Sequence, residues 1–481
     1  MLELLILIPL LGSFILLYIP KENIIAIRNI ALCFSLITFF ISILLWITFD
    51  SFIAKFQFVV KFFWLSGLNI NSYLGIDGIS LLFIILTTLI FPICILNSWK
   101  NIKEHLKEYM ILFLIMESLL IIVFSILDLF LFYVFFESIL IPMFLIIGIW
   151  GSRRRKVRAA YLLFFYTLFG SVLMLIAILV IFFQVGSTDY QALLVSDFSY
   201  NKQKLLWLAF FLSFAAKIPM IPVHIWLPEA HVEAPTTGSV VLAGILLKLG
   251  SYGFIRFSLP LFPLGSIYFT PLIYTIATVS IIYTSLTALR QTDLKRIIAY
   301  ASIAHMNLIM LGLFSLNIQG IEGSLVQMIS HGVVSSALFL SVGVFYDRYH
   351  TRLLKYYGGL VQVMPLFIPI FLLFTFANAA LPGTCNFVGE LLLFIGIFQD
   401  NIFITFFSAT GIILSGAYSL WLFNRIAYGN LKIQYIKGFS DISRREFHIF
   451  LPLIFLTIFL GVYPDVLLNK LHILKIYSLF N

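Results

Sequence analysis

The sequence predicts an all-α polytopic membrane protein of about fourteen transmembrane helices, with two inverted five-helix repeats and two broken helices. Three observations lead there: an apolar composition, apolar runs that recur along the chain, and prolines set inside two of those runs. Of its 481 residues, 62% are hydrophobic and 11% charged, and the mean hydropathy is +1.08. Soluble domains are about a quarter charged. A chain this apolar cannot cover itself with polar surface, so its solvent is lipid, and one bilayer crossing takes about 20 apolar residues.

Cut at polar or Pro/Gly-rich breaks, the chain divides into helices near 2–19, 27–48, 78–98, 109–126, 128–150, 158–184, 205–227, 236–259, 268–289, 294–316, 321–346, 364–398, 401–428 and 447–469. The basic residues support this division. Loops after odd-numbered helices carry 21 of them: Lys21, Arg28, Lys100, Lys103, Lys107, the run Arg153, Arg154, Arg155, Lys156 and Arg158, then Arg290, Lys295, Arg296, Arg348, Arg352, Lys355, Arg425, Lys432, Lys437, Arg444 and Arg445. Loops after even-numbered helices carry five, Lys55, Lys61, Lys202, Lys204 and Arg256, and the tail adds Lys470 and Lys475. This is the bias expected when basic loops stay on the side of synthesis. Both termini are therefore predicted to face away from the basic compartment. The net charge of +9 reads as a headgroup-facing surface, not as a nucleic-acid surface.

Other classes drop out. Cys33, Cys94 and Cys385 lie in separate apolar segments without CxxC spacing, which argues against a disulfide framework, a zinc site or iron–sulfur ligation. There is no dinucleotide GxGxxG in a strand–helix setting and no phosphate-binding GxxxxGK[ST], so no cofactor is expected in this chain. The N-terminal MLELLILIPLLGSFILLYIP lacks a basic n-region and a cleavage site and reads as a retained first span. The 52 Phe, with abundant Ile, Leu, Tyr and Asn, suggest an AT-rich, organellar coding genome.

Lys217, Lys248, Glu137 and Glu390 lie well inside apolar stretches, as in FLSFAAKIPMIP around Lys217 and AGILLKLGSYG around Lys248. Glu117 is a fifth, placed near a lipid-accessible helix end. A charge at a helix centre costs roughly 2.5–3.5 kcal/mol on insertion scales and by default marks a pathway or relay. The alternative is a structural ion pair joining two helices, less economical for four or five residues that include two lysines. His305 and His331 are also mid-span, where an imidazole passes protons near neutral pH or simply packs as a satisfied core histidine. Ser302 and Gln327, each one turn earlier, are positioned to hydrogen-bond them. His224 and His231 lie by the loop after the seventh helix and read as structural.

The seventh helix contains Pro219 and Pro222; the twelfth is too long for one span and contains Pro382 and Gly383. Proline removes a backbone donor, tolerated in lipid only where the freed carbonyls meet protein or line a cavity. Interrupted helices in corresponding positions of two halves point to an ion path. These two are five helices apart, and an odd offset reverses direction. The chain then divides into 1–108 (helices one to three), 109–259 (a first repeat), 260–430 (a second, inverted repeat) and 431–481 (helix fourteen and tail).

At this point the residues become recognisable. KIPMIPVHIWLPEAHVEAPTTGSVVLAGILLKLGSYGFIRF (217–257) closely resembles the signature of the antiporter-like membrane subunits of respiratory complex I. FYVFFESILIPMFLIIGIWG (132–151), DLKRIIAYASIAHMN (293–307) and MISHGVVSSALF (328–339) agree in order and spacing. Within that family the chain length and the PEAHVEAPTTGSVVLAG wording set it apart from the chains numbered 2 and 5. The resemblance implies proton translocation across the mitochondrial inner membrane, coupled to electron transfer from NADH to ubiquinone, as part of the proton-translocating NADH:ubiquinone reductase. Both termini would then face the intermembrane space. FMN, iron–sulfur clusters and ubiquinone would belong to the whole complex, and the partners would be chains 2 and 5, accessory subunits and phospholipids, possible cardiolipin sites among them. It further implies that Glu137 holds Lys217 protonated, that withdrawing the carboxylate sends the proton towards Lys248, and that His305 and His331 lead on to Glu390. The competing readings are a stand-alone or multisubunit cation/proton antiporter and a purely structural membrane scaffold.

Overall fold

The computed structural model describes residues 1–53, 55–65, 70–432 and 440–471. The basic residues Lys437 and Lys475 lie outside the described residues. The helices are α1 (Leu2–Tyr18), α2 (Ile24–Thr48), α3 (Gly78–Asn101), α4 (Leu106–Ser125), α5 (Leu129–Trp150), α6 (Lys156–Val185), α7 (Tyr190–Val195), α8 (Tyr200–Lys217) and α9 (Trp226–Glu233). They continue as α10 (Thr236–Leu261), α11 (Pro263–Arg290), α12 (Leu294–Phe314), α13 (Ile318–Tyr349), α14 (Phe367–Asn378), α15 (Cys385–Asp400), α16 (Ile402–Ala427), α17 (Arg444–Val462) and α18 (Asp465–Leu471). Among the described residues, eleven helices are long and apolar enough to cross a membrane, and α1 and α14 are shorter apolar helices. The chain is a multi-pass membrane protein.

Two differences from the expected pattern have local causes. The seventh helix breaks at its prolines as expected, but its bounds differ: it stops at Lys217 rather than running to 227, and a short helix resumes at Trp226, because Pro219 and Pro222 supply no N–H to continue the ladder. Between α2 and α3 an antiparallel hairpin forms, β1 (Gln57–Leu65) and β2 (Ile70–Ile76), with Gln57 opposite Ile76 and Val60 opposite Leu74. Its first strand is rich in the aromatic and β-branched residues that favour strands. The twelfth helix breaks where expected, between Asn378 and Cys385, with Gly383 at φ +90°, a conformation glycine adopts without a Cβ penalty.

Packing divides the chain into two compact units: Met1–Lys217 with Leu249–Phe269 and Asn469–Asn481, and Ile218–Lys248 with Thr270–Leu468. In the first, Trp207 is buried, donates to Ser266 Oγ at 3.1 Å and stacks on Phe211 and Phe269. Strand β2 docks on the α4–α5 corner through Leu127 N–H to the Tyr73 carbonyl, 2.8 Å. Asp128, which caps α5, accepts from Thr188 Oγ1 at 2.6 Å.

Arg256, expected in a loop, is instead buried in a π-helical turn (Phe254–Ser258) of α10. Its Nη2 lies 2.6 Å from Asp77 Oδ1 and its Nε donates to the Tyr252 hydroxyl at 3.3 Å. Asp77 also caps α3 through Ser80. Burial alone would raise the Asp77 carboxyl, but the Arg256 charge, with the hydrogen bonds from Arg256 and Ser80, holds it below the usual carboxylate range. A depressed carboxyl stabilises the fold at neutral pH, and that contribution disappears as pH falls through its folded-state pKa.

Glu117 corrects a second expectation. It has no exposed surface and accepts from Thr38 Oγ1 at 2.7 Å, so it is sealed between α2 and α4 and not near lipid. Removing one partner of a buried ion pair strands the other, at a cost of about 3–5 kcal/mol. Asp77→Asn is therefore expected to lower the detergent melting temperature of the protein markedly, whereas a conservative change at exposed Lys55 leaves it unchanged; equal melting temperatures for wild type and Asp77→Asn would show that the pair holds nothing.

Candidate functional site

Each unit buries its own set of ionisable side chains in apolar helices. In the first, α5 is interrupted at Ile139, three residues before Pro142, whose ring nitrogen has no proton for the Ser138 carbonyl. Glu137 stands at this interruption. Lys217, the last residue of α8, is buried and places Nζ 3.9 Å from Glu137 Oε1. Its ammonium donates to the Phe136 carbonyl at 2.7 Å and lies 3.2 Å from the centroid of the Phe136 ring. The lysine proton is thus held by a carbonyl and a ring face, with the carboxylate one step beyond hydrogen-bond reach.

In the second unit, Lys248 is fully buried just after a second π-helical turn of α10, Leu242–Leu246. π turns leave backbone carbonyls off the regular ladder and recur at functional sites. Here Lys248 Nζ donates to the Ala243 carbonyl and lies 2.9 Å from His331 Nδ1. The His331 and His305 rings have centroids 5.6 Å apart, and His305 Nδ1 is 3.2 Å from Glu390 Oε1. Lys248, His331, His305 and Glu390 therefore form a line of protonatable groups contributed by α10, α13, α12 and α15, bonded at its two ends and open between the imidazoles.

The predicted local partners are not the ones used. Gln327 donates to Glu390 Oε1 at 3.2 Å rather than serving His331, and His305 pairs with Glu390 rather than with Ser302. The reason is the crossing of α13 and α15. A Cβ on Gly389 would stand 2.9 Å from the Gln327 backbone, and one on Gly323 would stand 2.5 Å from Leu393 N. Small residues let the two backbones touch, which carries Glu390 to Gln327 and His305. A water-sized cavity of about 20 Å³ ends on His305, Glu390 and Tyr418, large enough for one water.

Pro219 and Pro222 end α8 beside Lys217, and Pro382 and Gly383 sit in the break that precedes α15 and its Glu390. Sequence reasoning missed Lys295 and Arg352 as well as Arg256: both were assigned to solvated loops, and they are 2% and 1% exposed. Their neighbours on the chain are polar, so no apolar run flagged them.

The comparisons with known proteins agree with this architecture. The family model described as "NADH:quinone oxidoreductase/Mrp antiporter, TM" matches residues 127–448. The NADH-ubiquinone oxidoreductase chain 4 of Arabidopsis thaliana is 62% identical over 468 residues, covering 97% of this chain and 94% of that protein. A chain of "Respiratory complex I from Thermus thermophilus with bound NADH" superposes with a TM-score of 0.90 at 29% identity, covering 99% of this chain and 98% of that one. A chain of the Mrp complex from a Dietzia species shares the fold, with a TM-score of 0.88 at 18% identity over all of this chain and 52% of that one. The chain belongs to the NADH:quinone oxidoreductase/Mrp antiporter membrane family.

Proposed function

We propose that this chain is a proton-translocating core membrane subunit of NADH:ubiquinone oxidoreductase, at the position of chain 4, in the mitochondrial inner membrane with both termini on the intermembrane-space side. The observation that carries the reading is the line from Lys248 through His331 and His305 to Glu390, with contacts of 2.9 and 3.2 Å at its two ends and 5.6 Å between the two imidazole centroids in the middle. Structural ion pairs come in pairs. Four titratable groups in series, one of them a fully buried lysine facing an imidazole, suit proton passage.

In this reading Glu137 controls the proton on Lys217. Two unit charges 4 Å apart interact by about 4 kcal/mol at an effective dielectric of 20, so a small withdrawal of the carboxylate changes the occupancy of Lys217 substantially. The released proton passes to Lys248, a step taken from the family resemblance. From Lys248 it moves to His331, then to His305 across a gap that a single water can bridge, and then to Glu390. Quinone reduction elsewhere in the complex drives the cycle, and FMN, iron–sulfur clusters and ubiquinone belong to that complex. The neighbours would be the antiporter-like chains 2 and 5 and accessory subunits, with the exposed Arg153, Arg154 and Arg155 offered to anionic lipid such as cardiolipin. The two five-helix repeats are part of the same reading.

Two measurements test it. On native electrophoresis of gently solubilised membranes the chain is expected to migrate in a very large band with NADH dehydrogenase activity; a separate small band without that activity would instead indicate a cation/proton antiporter. Glu137→Gln and Lys217→Met are each expected to assemble normally and to depress proton pumping and coupled quinone reduction together. Wild-type pumping in either variant removes that residue from the mechanism.

A further inference from the structure

The relay uses Glu137 and Glu390 and leaves another buried carboxyl, Glu117, without a task. Glu117 stands in the middle of α4 and has no exposed surface. By default a carboxyl at that depth marks a proton path, but the surroundings of this one point elsewhere. It meets Thr38 Oγ1 of α2 at 2.7 Å, and its Oε2 is buried with no hydrogen-bond partner. Among the described residues no lysine, arginine or histidine pairs with it.

Counting protons on the Thr38 hydroxyl fixes the state of the carboxyl. Thr38 has one hydroxyl proton, yet its Oγ1 lies 2.7 Å from two oxygens, the Ser35 carbonyl one turn earlier and Glu117 Oε1. Both separations are those of an O–H···O bond, and each such bond needs its own proton. Taken as a carboxylate, Glu117 would compete with the Ser35 carbonyl for that single proton, because both groups are acceptors only. Taken as a carboxylic acid, Glu117 brings the second proton: it donates to Thr38 Oγ1, and Thr38 donates to Ser35. Charge favours the same state. A carboxylate with no counter-ion and one oxygen unpaired is far costlier in an apolar interior than a neutral acid.

Helix α2 has a use for such a donor. Much of it faces outward, with Phe40 and Ile47 60% and 70% exposed, and its buried stripe includes Ala31, Ser35, Thr38 and Ser42. Lipid tails are as apolar as the helices, so small residues and hydrogen bonds between helices supply the adhesion. The stripe reaches Glu117 of α4 through Thr38 and Thr88 of α3 through Ser42, each at 2.7 Å.

We propose that Glu117 is a neutral carboxylic acid that donates to Thr38 Oγ1 and fastens α2 to α4, and that it stands outside the proton circuit. Its proton stays in place and serves adhesion. The inference rests on the relay reading only for which residues make up that circuit.

The test uses the assembled complex, in liposomes for pumping and heated before native electrophoresis for integrity. Glu117→Gln is neutral, has nearly the same shape and keeps an N–H for Thr38; it is expected to assemble, to pump at the wild-type rate and to dissociate at the wild-type temperature. Glu117→Leu, which has no donor, and Thr38→Val, which has no oxygen, are each expected to lower the dissociation temperature or the yield of complex, while whatever assembles pumps normally. Lost pumping in assembled Glu117→Gln overturns the proposal, because its proton would then be one that moves. Failure of Glu117→Gln to assemble overturns it too, as does a clearly higher dissociation temperature, the sign that a buried charge had been removed. Wild-type integrity in Glu117→Leu or in Thr38→Val overturns the clamp. Glu137→Gln, measured in parallel, keeps the two readings apart: normal pumping there removes the relay reading, and the clamp is then decided by integrity alone.

Discussion

A lysine with no exposed surface, in a helix where the surrounding side chains are apolar, sets the terms for the unit that contains it. Lys248 cannot be solvated by lipid, and an uncompensated ammonium in a low dielectric is prohibitively costly. The chain meets this with backbone and imidazole. The π turn at Leu242–Leu246 presents the Ala243 carbonyl, and His331 presents Nδ1. The carbonyl accepts from the charged lysine, and the imidazole can accept from it or donate to it according to its tautomer. A buried salt bridge would have stabilised one protonation state so strongly that the other was seldom visited.

That choice makes demands on the helices around it. His331 has to sit on α13 at the level of Lys248, and its neighbour in the line, His305, has to face it from α12. Glu390 must then reach His305 from a helix that starts only at Cys385. The break before α15 and the glycine-lined crossing at Gly323 and Gly389 accomplish this together. One shortens the helix so that a carboxylate enters beside a water-sized cavity; the other lets the backbones touch so that Gln327 can fix Glu390 Oε1. Small residues at a helix crossing are ordinary in membranes, but here their effect is chemical: they set a hydrogen-bond distance.

Residue type and local breaks were legible in the sequence; partner choice was not. Lys217, Lys248, Glu137 and Glu390 stood out because a charge inside an apolar run is rare, and Pro219 and Pro382 marked the interruptions because proline has no N–H. Gln327 was assigned to its helical neighbour His331, yet its partner is 63 residues away on a helix whose approach depends on glycines that no periodicity reveals. Lys295 and Arg352 were read as loop charges for a related reason: a polar stretch folded inward looks the same as one facing water until the tertiary fold is known; Arg256, in the apolar run GFIRFSLPLF near the predicted helix end at 259, was grouped with the loop that follows. Glu117 failed in the other direction, since nothing local announces Thr38, 79 residues earlier, as its donor. The hairpin at 57–76 was missed because attention to apolar helical runs passes over short strands between them.

The two buried lysines are treated in opposite ways, and the contrast bears on mechanism. Lys217 has an anion nearby, Glu137, but at 3.9 Å the carboxylate is outside hydrogen-bond reach, and the bond itself goes to the Phe136 carbonyl. Lys248 bonds a backbone carbonyl and an imidazole directly. In the proposed mechanism, charge on the first is tuned by a movable electrostatic partner, while charge on the second is tuned by proton exchange along a hydrogen bond. At Ile139 the ladder beside Glu137 is weakened, with the Ile139 and Met143 N–H bonds both stretched to 3.4 Å. Had the carboxylate closed to full contact, the pair would have held its proton too tightly to release it. Had it been absent, the buried lysine would have had little reason to accept one. In the proposed mechanism the intermediate distance of 3.9 Å is what leaves both states accessible.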